Sequence, residues 1–188
     1  MGEIRKPEMV KYIAGLLLPG KEGLASLRLE LEKQFGPLDL VADVEPFHYT
    51  DYYEEEMGQL VRTYVGFEKL RLPDELVRFK LAANDIENRH LRPDGRRSVN
   101  IDPGYLSLSQ LVLASTKPFT HRIYLDRGIY AEVTLQFRGG TYQTLPWTYP
   151  DYAAHIPMFN EWREHYRVQK KMAKKAAKER QQGENHAK

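Results

Sequence analysis

The chain has 188 residues, a formal net charge of +2 at pH 7, and an ordinary globular composition of 41% hydrophobic and 29% charged residues, which suits one domain with a substantial core. It contains no cysteine, which excludes disulfides and thiolate metal sites and agrees with a reducing, cytoplasmic location. The amino terminus shows no signal-peptide core, and the longest apolar run, residues 13–18, is too short to span a bilayer, so we expect no membrane partner.

The first half of the chain alternates strand and helix patterns. Residues 10–18 form a continuous apolar run that ends at a Pro-Gly pair, which predicts a buried strand. Leucines spaced three and four residues apart predict a helix over about 22–35, and a Gly-Pro pair ends it. Residues 38–44 predict a second strand.

A strand, a helix and a strand follow. Residues 60–70 predict the third strand, and Pro73 with the two acids after it starts a second helix, because proline and carboxylates suit the first helical turn. Residues 99–101 predict a short fourth strand. The order β-α-β-β-α-β is that of ferredoxin-like folds, so we predict an α+β fold whose first half is a split βαβ unit.

The second half predicts one short helix and an antiparallel β-meander. Residues 107–112 carry serines suited to capping and leucines at helical spacing, which predicts the helix. Residues 121–125, 129–137 and 141–145 predict the three strands of the meander, separated by glycine-containing turns.

Apolar and polar residues alternate along the middle strand of the meander, which predicts one apolar and one polar face. A three-residue turn at 126–128 fixes the register with the preceding strand. That register sets three pairs opposite each other: Leu125 with Ile129, Tyr124 with Tyr130, and Arg122 with Glu132.

A long helix is predicted at the carboxyl end, from about residue 158 to 182, and its apolar stripe decays after Met172. From Arg163 onward there are nine basic and three acidic residues, whereas the rest of the chain has 19 basic and 23 acidic residues. We therefore predict a single α+β domain over 1–168 and a basic tail, helical or disordered, over 169–188. Such a tail is suited to electrostatic contact with RNA.

Tyrosines and carboxylates share three segments, 47–58, 100–105 and 147–152, that are also rich in turn residues. Tyrosine combines an apolar ring with a polar tip, which suits the rim of a pocket. Turn residues place the segments at the ends of regular elements, where binding sites usually lie. We predict a ligand site from these segments, with Thr50, Asp51, Tyr52, Tyr53, Tyr149 and Asp151 among its members.

Two further groups each allow two interpretations. Lys80, Asn84 and Glu87 lie on one face of the second helix and offer a base or a ligating carboxylate beside an amide and a cation, or else a solvated ion pair. Asp102 either holds a metal ion or a ribose hydroxyl, or caps its own turn before a Pro-Gly pair.

A third group consists of Lys117, His121 and Arg122, which precede the polar face of the meander. Arginine is a bidentate donor and histidine a titratable acid, so the group suits a phosphate or a carboxylate. The alternative is that Arg122 pairs with Glu132 while His121 completes a turn.

Carboxylates of several predicted segments would also suit a hard divalent cation such as Mg²⁺. They are Asp51, Glu54, Glu55, Glu56, Glu87, Asp102 and Glu132. The sequence contains no Gly-x-x-x-x-Gly-Lys-Ser/Thr loop, no His-Glu-x-x-His and no Gly-x-Ser-x-Gly, so it does not support a P-loop nucleotidase, a zincin or a serine hydrolase.

Five ordered motifs, taken together, resemble a prokaryotic family described as a domain of unknown function, DUF4416. The motifs lie at residues 47–58, 100–106, 121–125, 128–135 and 146–152, and the resemblance spans roughly residues 6–166. It implies a ranking of positions, since the family signature falls on polar and aromatic residues. These are Thr50, Asp51, Tyr52, Tyr53, Asn84, Glu87, Asp102, Lys117, His121, Arg122, Glu132, Tyr149 and Asp151.

The function expected from these patterns is binding of a small anionic ligand, phosphate-bearing or nucleotide-like, in a pocket of tyrosines, acids, histidine and arginine. If the protein is an enzyme, we expect hydrolase or phosphoryl chemistry with His121, Glu87 and Asp102 as catalytic residues. The alternative is a non-catalytic interaction protein that uses its basic tail on RNA or the ribosome.

Overall fold

The computed structural model describes residues 2–49 and 60–186. In the first half of the chain a 3₁₀ turn, Pro73–Glu75, leads directly into the second helix. The elements are β1 Lys11–Leu18, α1 Gly23–Phe35, β2 Leu38–Val41, β3 Glu45–Pro46, β4 Val61–Phe67, α2 Leu76–Arg89 and β5 Asn100–Leu106.

In the second half, four strands are followed by two helices. These elements are β6 Gln110–Ser115, β7 Ile123–Asp126, β8 Ile129–Arg138, β9 Thr141–Thr144, α3 Pro150–Ala154 and α4 Ile156–His186. The predicted meander and the predicted long carboxy-terminal helix are confirmed.

The strands described here form one antiparallel sheet in the order β2-β4-β1-β5-β6-β8-β7, with β3 also beside β4 and β9 beside β8. The connection from β1 through α1 to β2 skips over β4, and the connection from β4 through α2 to β5 skips over β1. Each helix therefore crosses one intervening strand, as in the split βαβ unit. The predicted α+β class and ferredoxin-like first half are confirmed, and the meander extends the same sheet.

The sheet separates two apolar clusters because successive side chains of a strand point to opposite faces. The helix-side cluster, under α1 and α2, includes Tyr12, Leu27, Leu31, Phe35, Phe79 and Ile86. The α4-side cluster, on the other face, includes Ile13, Tyr64, Leu113, Tyr142, Tyr152, Phe159 and Trp162. The neighbours Tyr12 and Ile13 fall in different clusters, as the alternation requires.

The helix predicted over residues 107–112 is wrong, since this segment is a turn that leads into β6. The Ser107 hydroxyl accepts hydrogen bonds from the backbone N–H groups of Ser109, at 3.2 Å, and Gln110, at 3.0 Å. The serine therefore closes a tight turn between strands, a role that serine shares with helix capping. Leu111 and Val112 then face opposite sides of the sheet and enter different clusters.

The predicted turn at residues 126–128 is one residue too long. Asp126, not Leu125, lies opposite Ile129, and the turn consists of Arg127 and Gly128 with φ angles of 47° and 78°. Two residues with positive φ are typical of a type I′ hairpin turn. Leu125 is the extra residue of a bulge, so the predicted Tyr124–Tyr130 pairing is nevertheless confirmed.

The predicted single apolar face of β8 is interrupted by a second bulge. Val133 lies opposite Val112 and Leu135 lies opposite Leu111, so Thr134 has no opposite residue on β6. An extra residue moves the following side chains to the other face. Val133 therefore packs against the helix-side cluster, whereas Leu135 belongs to the α4-side cluster.

The strand predicted over residues 99–101 is too short, and the interpretation that Asp102 caps a turn at Pro103 and Gly104 is wrong. Strand β5 continues through both residues to Leu106, paired throughout with β1. Proline lacks the N–H that a ladder needs, and β5 pairs with β6 only from Gly104 onward. The two strands therefore separate at Pro103, and the cavity described below lies in that gap.

Helix α4 continues without a break across the predicted boundary at residue 168. Beyond that point Lys174 pairs with Glu8 at 2.9 Å, and just before it the Tyr166 hydroxyl donates to the carbonyl of Met9 at 2.8 Å. The first turns of the basic segment thus pack on the amino-terminal segment. No helix in the described ranges is long and apolar enough to cross a membrane.

A buried lysine ties α4 to the sheet. Lys11 on β1 is fully buried, and its ammonium donates to both carboxylate oxygens of Asp39 on β2, at 2.6 Å for Oδ1. It also donates to Gln169 Oε1 on α4 at 3.1 Å, while Asp39 Oδ2 accepts from His165 at 3.1 Å. Burial lowers the pKa of Lys11, and Asp39 opposes that shift. The ammonium therefore depends on Asp39 for its charge.

We expect Asp39→Ala to lower the free energy of unfolding by about 3–5 kcal/mol, because it leaves the Lys11 ammonium buried without its counter-charge. Adding Lys11→Met to that variant should recover most of the loss, since an apolar side chain of similar length fills the same space. Urea unfolding at pH 7 measures both effects. A double variant no more stable than Asp39→Ala alone would contradict the role assigned to this pair.

Candidate functional site

A cavity of about 640 Å³ lies in the gap between β5 and β6. The strands pair only over Gly104–Leu106 and Leu111–Leu113 and then diverge. Asn100 and Asp102 line the β5 side of the cavity, and residues 115–117 line the β6 side. The volume falls in the range of small-molecule sites, about 300–1,000 Å³.

Charged side chains dominate the polar lining, and cations outnumber carboxylates. The described cations of the lining are Arg62, Lys80, Arg97, Lys117 and Arg122. The described carboxylates are Asp102, Glu132 and Asp151. Rings of Phe47, Tyr49, Tyr149 and Tyr152 supply apolar wall. The described lining therefore carries a positive excess in a partly enclosed space, where charge interactions are stronger than in water.

A buried ion pair joins the sheet to α3 beside this cavity. Arg62, the second residue of β4, donates from Nε to Asp151 Oδ2 at 2.7 Å and also from Nη2 to the same oxygen. The Tyr64 hydroxyl donates to that oxygen at 3.3 Å. Burial alone would lower the pKa of Arg62, but the Asp151 carboxylate holds that pKa above its ordinary value. The guanidinium is therefore a permanent buried charge.

Two buried donors at this position have no hydrogen-bond partner in the described part of the chain: Nη1 of Arg62 and the hydroxyl of Tyr152. The two atoms converge on Gly15. A Cβ atom at Gly15 would lie 2.5 Å from the Tyr152 hydroxyl and 3.1 Å from Arg62 Nη1. Burial raises the pKa of Tyr152 well above its ordinary range, so the hydroxyl keeps its proton. Unpaired buried donors are costly, and an acceptor brought by a ligand would satisfy them.

Asp102 lies beside these donors on the β5 side. Its Oδ2 accepts a hydrogen bond from Asn100 Nδ2 at 2.7 Å and lies 3.9 Å from Arg62 Nη1. Its Oδ1 lies 3.7 Å from the Lys80 ammonium, which donates instead to the carbonyl of Ile101 at 3.0 Å. Both cations are within ion-pair range but beyond hydrogen-bond distance. The carboxylate therefore keeps acceptor capacity toward the cavity.

Glu87 supports β5 from behind. It is buried on α2, and its Oε1 accepts the backbone N–H of Ile101 at 2.6 Å. Burial raises the pKa of Glu87, although the nearby Lys80 ammonium opposes the shift. Glu87 does not line the cavity and fixes the strand on which Asp102 lies.

On the opposite wall, Arg122 is held by four acceptors. Its guanidinium donates to Glu132 at 2.7 Å, Ser115 at 2.8 Å, the Lys117 carbonyl at 3.0 Å and the Tyr149 hydroxyl at 2.7 Å. The predicted Arg122–Glu132 pair is confirmed. Burial raises the pKa of Tyr149, and the charge of Glu132 adds to that effect. Arg122 therefore organises this wall.

His121 lies behind the same wall. Its Nε2 is 3.2 Å from Glu132 Oε2, and its ring stacks on Trp147 with 4.8 Å between ring centres. The other oxygen of Glu132 accepts from the Thr134 hydroxyl at 3.1 Å. The ring is thus clamped between a carboxylate and an indole, and His121 is not among the residues that line the cavity.

The structure brings six of the predicted site residues to the cavity lining: Asp102, Lys117, Arg122, Glu132, Tyr149 and Asp151. Glu87 and His121 contact the lining from behind. Asn84 is half-buried on α2 and does not line the cavity. Thr50, Asp51, Tyr52 and Tyr53 lie outside the described residues.

Sequence reasoning missed Arg62, Gly15 and Tyr152 as site residues. A signal for Arg62 exists, since it is a lone charge inside an apolar strand pattern, and a buried charge needs a partner and a purpose. Gly15 gives a weaker signal as a glycine within an apolar run, which marks close approach by another group. Arg97 belongs to the segment before β5, and its sequence neighbourhood gives no comparable signal.

A metal site receives no support from the described side chains. Over residues 2–49 and 60–186, no group of three or more His, Asp or Glu residues is placed to hold a metal ion. Of the acids proposed for a divalent cation, Asp51, Glu54, Glu55 and Glu56 lie outside the described residues. The expectation of a cation such as Mg²⁺ stays a prediction.

Comparison with protein families identifies the chain. The family model described as "Domain of unknown function (DUF4416)" matches residues 8–166, so the chain belongs to that family, as its motifs predicted. No curated protein and no solved structure matches the chain. The match includes both walls of the cavity and leaves out most of the basic segment of α4.

We expect Gly15→Ala to lower the free energy of unfolding by about 1–3 kcal/mol, because its Cβ would overlap the Tyr152 hydroxyl. Tyr152→Phe alone should leave the free energy of unfolding unchanged or raise it, since it removes a buried hydroxyl that has no partner among the described residues. In the Tyr152→Phe background, Gly15→Ala should lower the free energy of unfolding by less than it does in the wild-type background. The loss that is left comes from the close contact between the new Cβ atom and Arg62 Nη1. Denaturant unfolding of the four proteins measures the coupling. Additive effects would refute the predicted contact.

The raised pKa of Glu87 predicts a defined pH dependence. The folded protein binds the Glu87 proton more tightly than the unfolded chain does. The contribution of Glu87 to the free energy of unfolding therefore falls as pH rises from the ordinary glutamate pKa of 4.5 to the raised pKa of the folded state. Above the folded pKa this contribution no longer changes with pH. Glu87→Gln keeps an acceptor for the Ile101 N–H and removes this contribution. Its stability relative to wild type should therefore increase with pH through that window.

The Glu87→Ala variant is the matched control, because it leaves the buried N–H of Ile101 unpaired at a cost of about 1–3 kcal/mol. Urea unfolding from pH 4 to pH 8 compares the three proteins. If the stability of Glu87→Gln and of wild type changes with pH in parallel, the pKa of Glu87 is the same in the folded and unfolded chain, and the prediction is wrong.

Proposed function

We propose that this DUF4416 protein binds a small anionic ligand, phosphate-bearing or nucleotide-like, in the cavity between β5 and β6. One observation carries the proposal. A buried guanidinium, Arg62, and a buried phenol, Tyr152, each have a donor without a partner in the described part of the chain, and both residues line the cavity. Phosphate oxygens are strong acceptors for such donors.

The charge balance supports an anion. Of the three carboxylates in the described lining, Asp151 is bonded to Arg62 and Glu132 is bonded to Arg122. Asp102 lies between Arg62 and Lys80 at ion-pair distances. Each carboxylate therefore lies beside a cation, and the described lining contains five cations and three carboxylates. A cavity with charged walls of one prevailing sign concentrates ligands of the other.

The reaction class that we propose, if the ligand is a substrate, is hydrolysis or phosphoryl transfer. Of the three residues expected to be catalytic, Asp102 lines the cavity and could accept a proton from water or a hydroxyl group. Glu87 is engaged by the backbone of Ile101, and His121 is engaged by Glu132. In this scheme they position the two walls. Phosphate release from each ester that binds, with and without Mg²⁺, tests the scheme.

The alternative partner is RNA or the ribosome, contacted through the basic segment of α4. Lys171, Lys175 and Lys178 are exposed on this helix, which is the observation in its favour. Lys170 and Lys174 are paired with Glu8, and Lys175 lies 3.9 Å from Glu179. Binding through exposed lysines should weaken steeply with rising salt concentration. A cytoplasmic location, expected from the absence of cysteine, suits either partner.

The proposal predicts that phosphate compounds stabilise the protein. Inorganic phosphate, a sugar phosphate and a nucleoside monophosphate are compared by thermal shift and calorimetry, with and without Mg²⁺. A ligand at 100 times its Kd should add about 2.7 kcal/mol to the free energy of unfolding. Tyr152→Phe removes one donor to a charged group and should weaken binding about tenfold or more.

A triple variant of the exposed tail lysines, Lys171→Gln with Lys175→Gln and Lys178→Gln, is the control and should bind the same ligand as tightly as wild type. Absence of any thermal shift across the panel would refute the proposal, and so would equal affinity of Tyr152→Phe and wild type. Salt-sensitive RNA binding that disappears in the triple variant would favour the alternative partner.

A further inference from the structure

We infer that the ligand is a hydroxylated phosphate ester of the sugar phosphate or ribose phosphate class, with its phosphate at Arg62 and Tyr152 and a hydroxyl group at Asp102. The inference rests on the proposed function and adds to it the identity of the group next to the phosphate. It depends on the hydrogen-bonding capacity of Asp102, on the sign of the charge around it, and on its distance from Arg62.

The free acceptor capacity of Asp102 suits a hydrogen-bond donor on the ligand. A carboxylate accepts hydrogen bonds through two oxygens and about four lone-pair sites. Here Oδ2 accepts from Asn100 at 2.7 Å, whereas Oδ1 has Lys80 at 3.7 Å as its nearest cation in the described lining. Lys80 does not close that distance because it is bonded to the carbonyl of Ile101 at 3.0 Å.

The surrounding charge selects the kind of donor. A ligand ammonium would satisfy the Asp102 carboxylate, but it would enter a lining in which cations already outnumber carboxylates. Two of those cations, Arg62 and Lys80, lie within 3.9 Å of the carboxylate itself. Like charges at such distances repel strongly in a partly enclosed site. A neutral donor is therefore favoured, and a hydroxyl group is the neutral donor that commonly accompanies phosphate on a small molecule.

The spacing fits both groups on one small molecule. Arg62 Nη1, a donor without a partner in the described part of the chain, is 3.9 Å from Oδ2 of the Asp102 carboxylate, and the free Oδ1 belongs to the same carboxylate. A phosphate oxygen on Nη1 and a hydroxyl on Asp102 would therefore be a few ångströms apart, as on neighbouring carbons of a sugar phosphate. The rings of Phe47 and Tyr149 in the lining offer apolar surface to the carbon skeleton.

The inference is tested by comparing ribose 5-phosphate with pentyl phosphate, an ester of equal carbon number without hydroxyl groups. Calorimetry on the wild-type protein should give a Kd for ribose 5-phosphate lower by about tenfold or more, since a hydrogen bond to a charged group is at stake. Asp102→Ala should abolish this preference. Because it also removes a negative charge, the same variant should bind pentyl phosphate as tightly as wild type or more tightly.

Tyr152→Phe is the matched control, because it removes a donor to the phosphate that both esters share. It should weaken both esters by a similar factor and leave the preference for ribose 5-phosphate unchanged. Asp102→Asn keeps the shape of the side chain and a weaker acceptor, so it should reduce the preference for ribose 5-phosphate over pentyl phosphate severalfold. This variant replaces Asp102→Ala in the comparison if Asp102→Ala does not fold.

The outcomes separate the inference from the proposed function. If neither ester binds and inorganic phosphate does not bind, the proposed function fails. If both esters bind with equal affinity to wild type, or if Asp102→Ala and Asp102→Asn keep the full preference, phosphate binding stands and the assignment of a hydroxyl to Asp102 is overturned. Tighter binding of ribose than of its phosphate would overturn both.

Discussion

The buried ion pair between Arg62 and Asp151 is the interaction on which the site depends. It links the start of β4 to the first turn of α3, and both side chains are almost fully buried. A buried charge is tolerated only when its partner is held in place, and breaking such a pair costs about 3–5 kcal/mol. Here three rings surround the guanidinium: Phe47, Tyr64 and Tyr152 at 5.3–5.7 Å. The pair therefore holds the first turn of α3 against β4, next to the position of Tyr152 over Gly15.

The second constraint is the separation of β5 from β6, which opens the cavity without leaving the core. Gly104 lets the two strands approach so closely that a Cβ atom there would overlap the Val112 carbonyl oxygen. One residue earlier, Pro103 has no N–H for a ladder, and the pairing with β6 stops. Tight pairing on one side of this point and separation on the other give a gap with rigid walls. Residues on rigid strands hold binding groups more accurately than residues on loops.

The sequence predicted those parts of the structure that depend on local pattern and charge pairing. The split βαβ order followed from periodicity, and the Arg122–Glu132 pair followed from strand register with opposite charges. The wrong predictions have a common cause, which is that the same local sequence pattern is compatible with two different structures. The Ser107 hydroxyl bonds the following backbone in a turn as it would in a helix cap. The apolar pattern of β4 marks Arg62 as an unusual charge, but its partner is a carboxylate 89 residues away, which no local pattern identifies.

The two walls of the cavity are chemically unequal, and this inequality indicates where a ligand gains most. On the β6–β8 wall both oxygens of Glu132 accept hydrogen bonds, from Thr134 and from Arg122, and the arginine itself serves four acceptors. On the β5 wall Asp102 keeps acceptor capacity, and Arg62 keeps a donor without a partner in the described chain. A ligand that displaced the first network would lose as much as it gained, whereas one that completed the second would gain outright. The histidine–arginine segment gave the stronger sequence signal for an anion, yet the unused hydrogen-bonding capacity of the described lining lies mainly across the cavity from it.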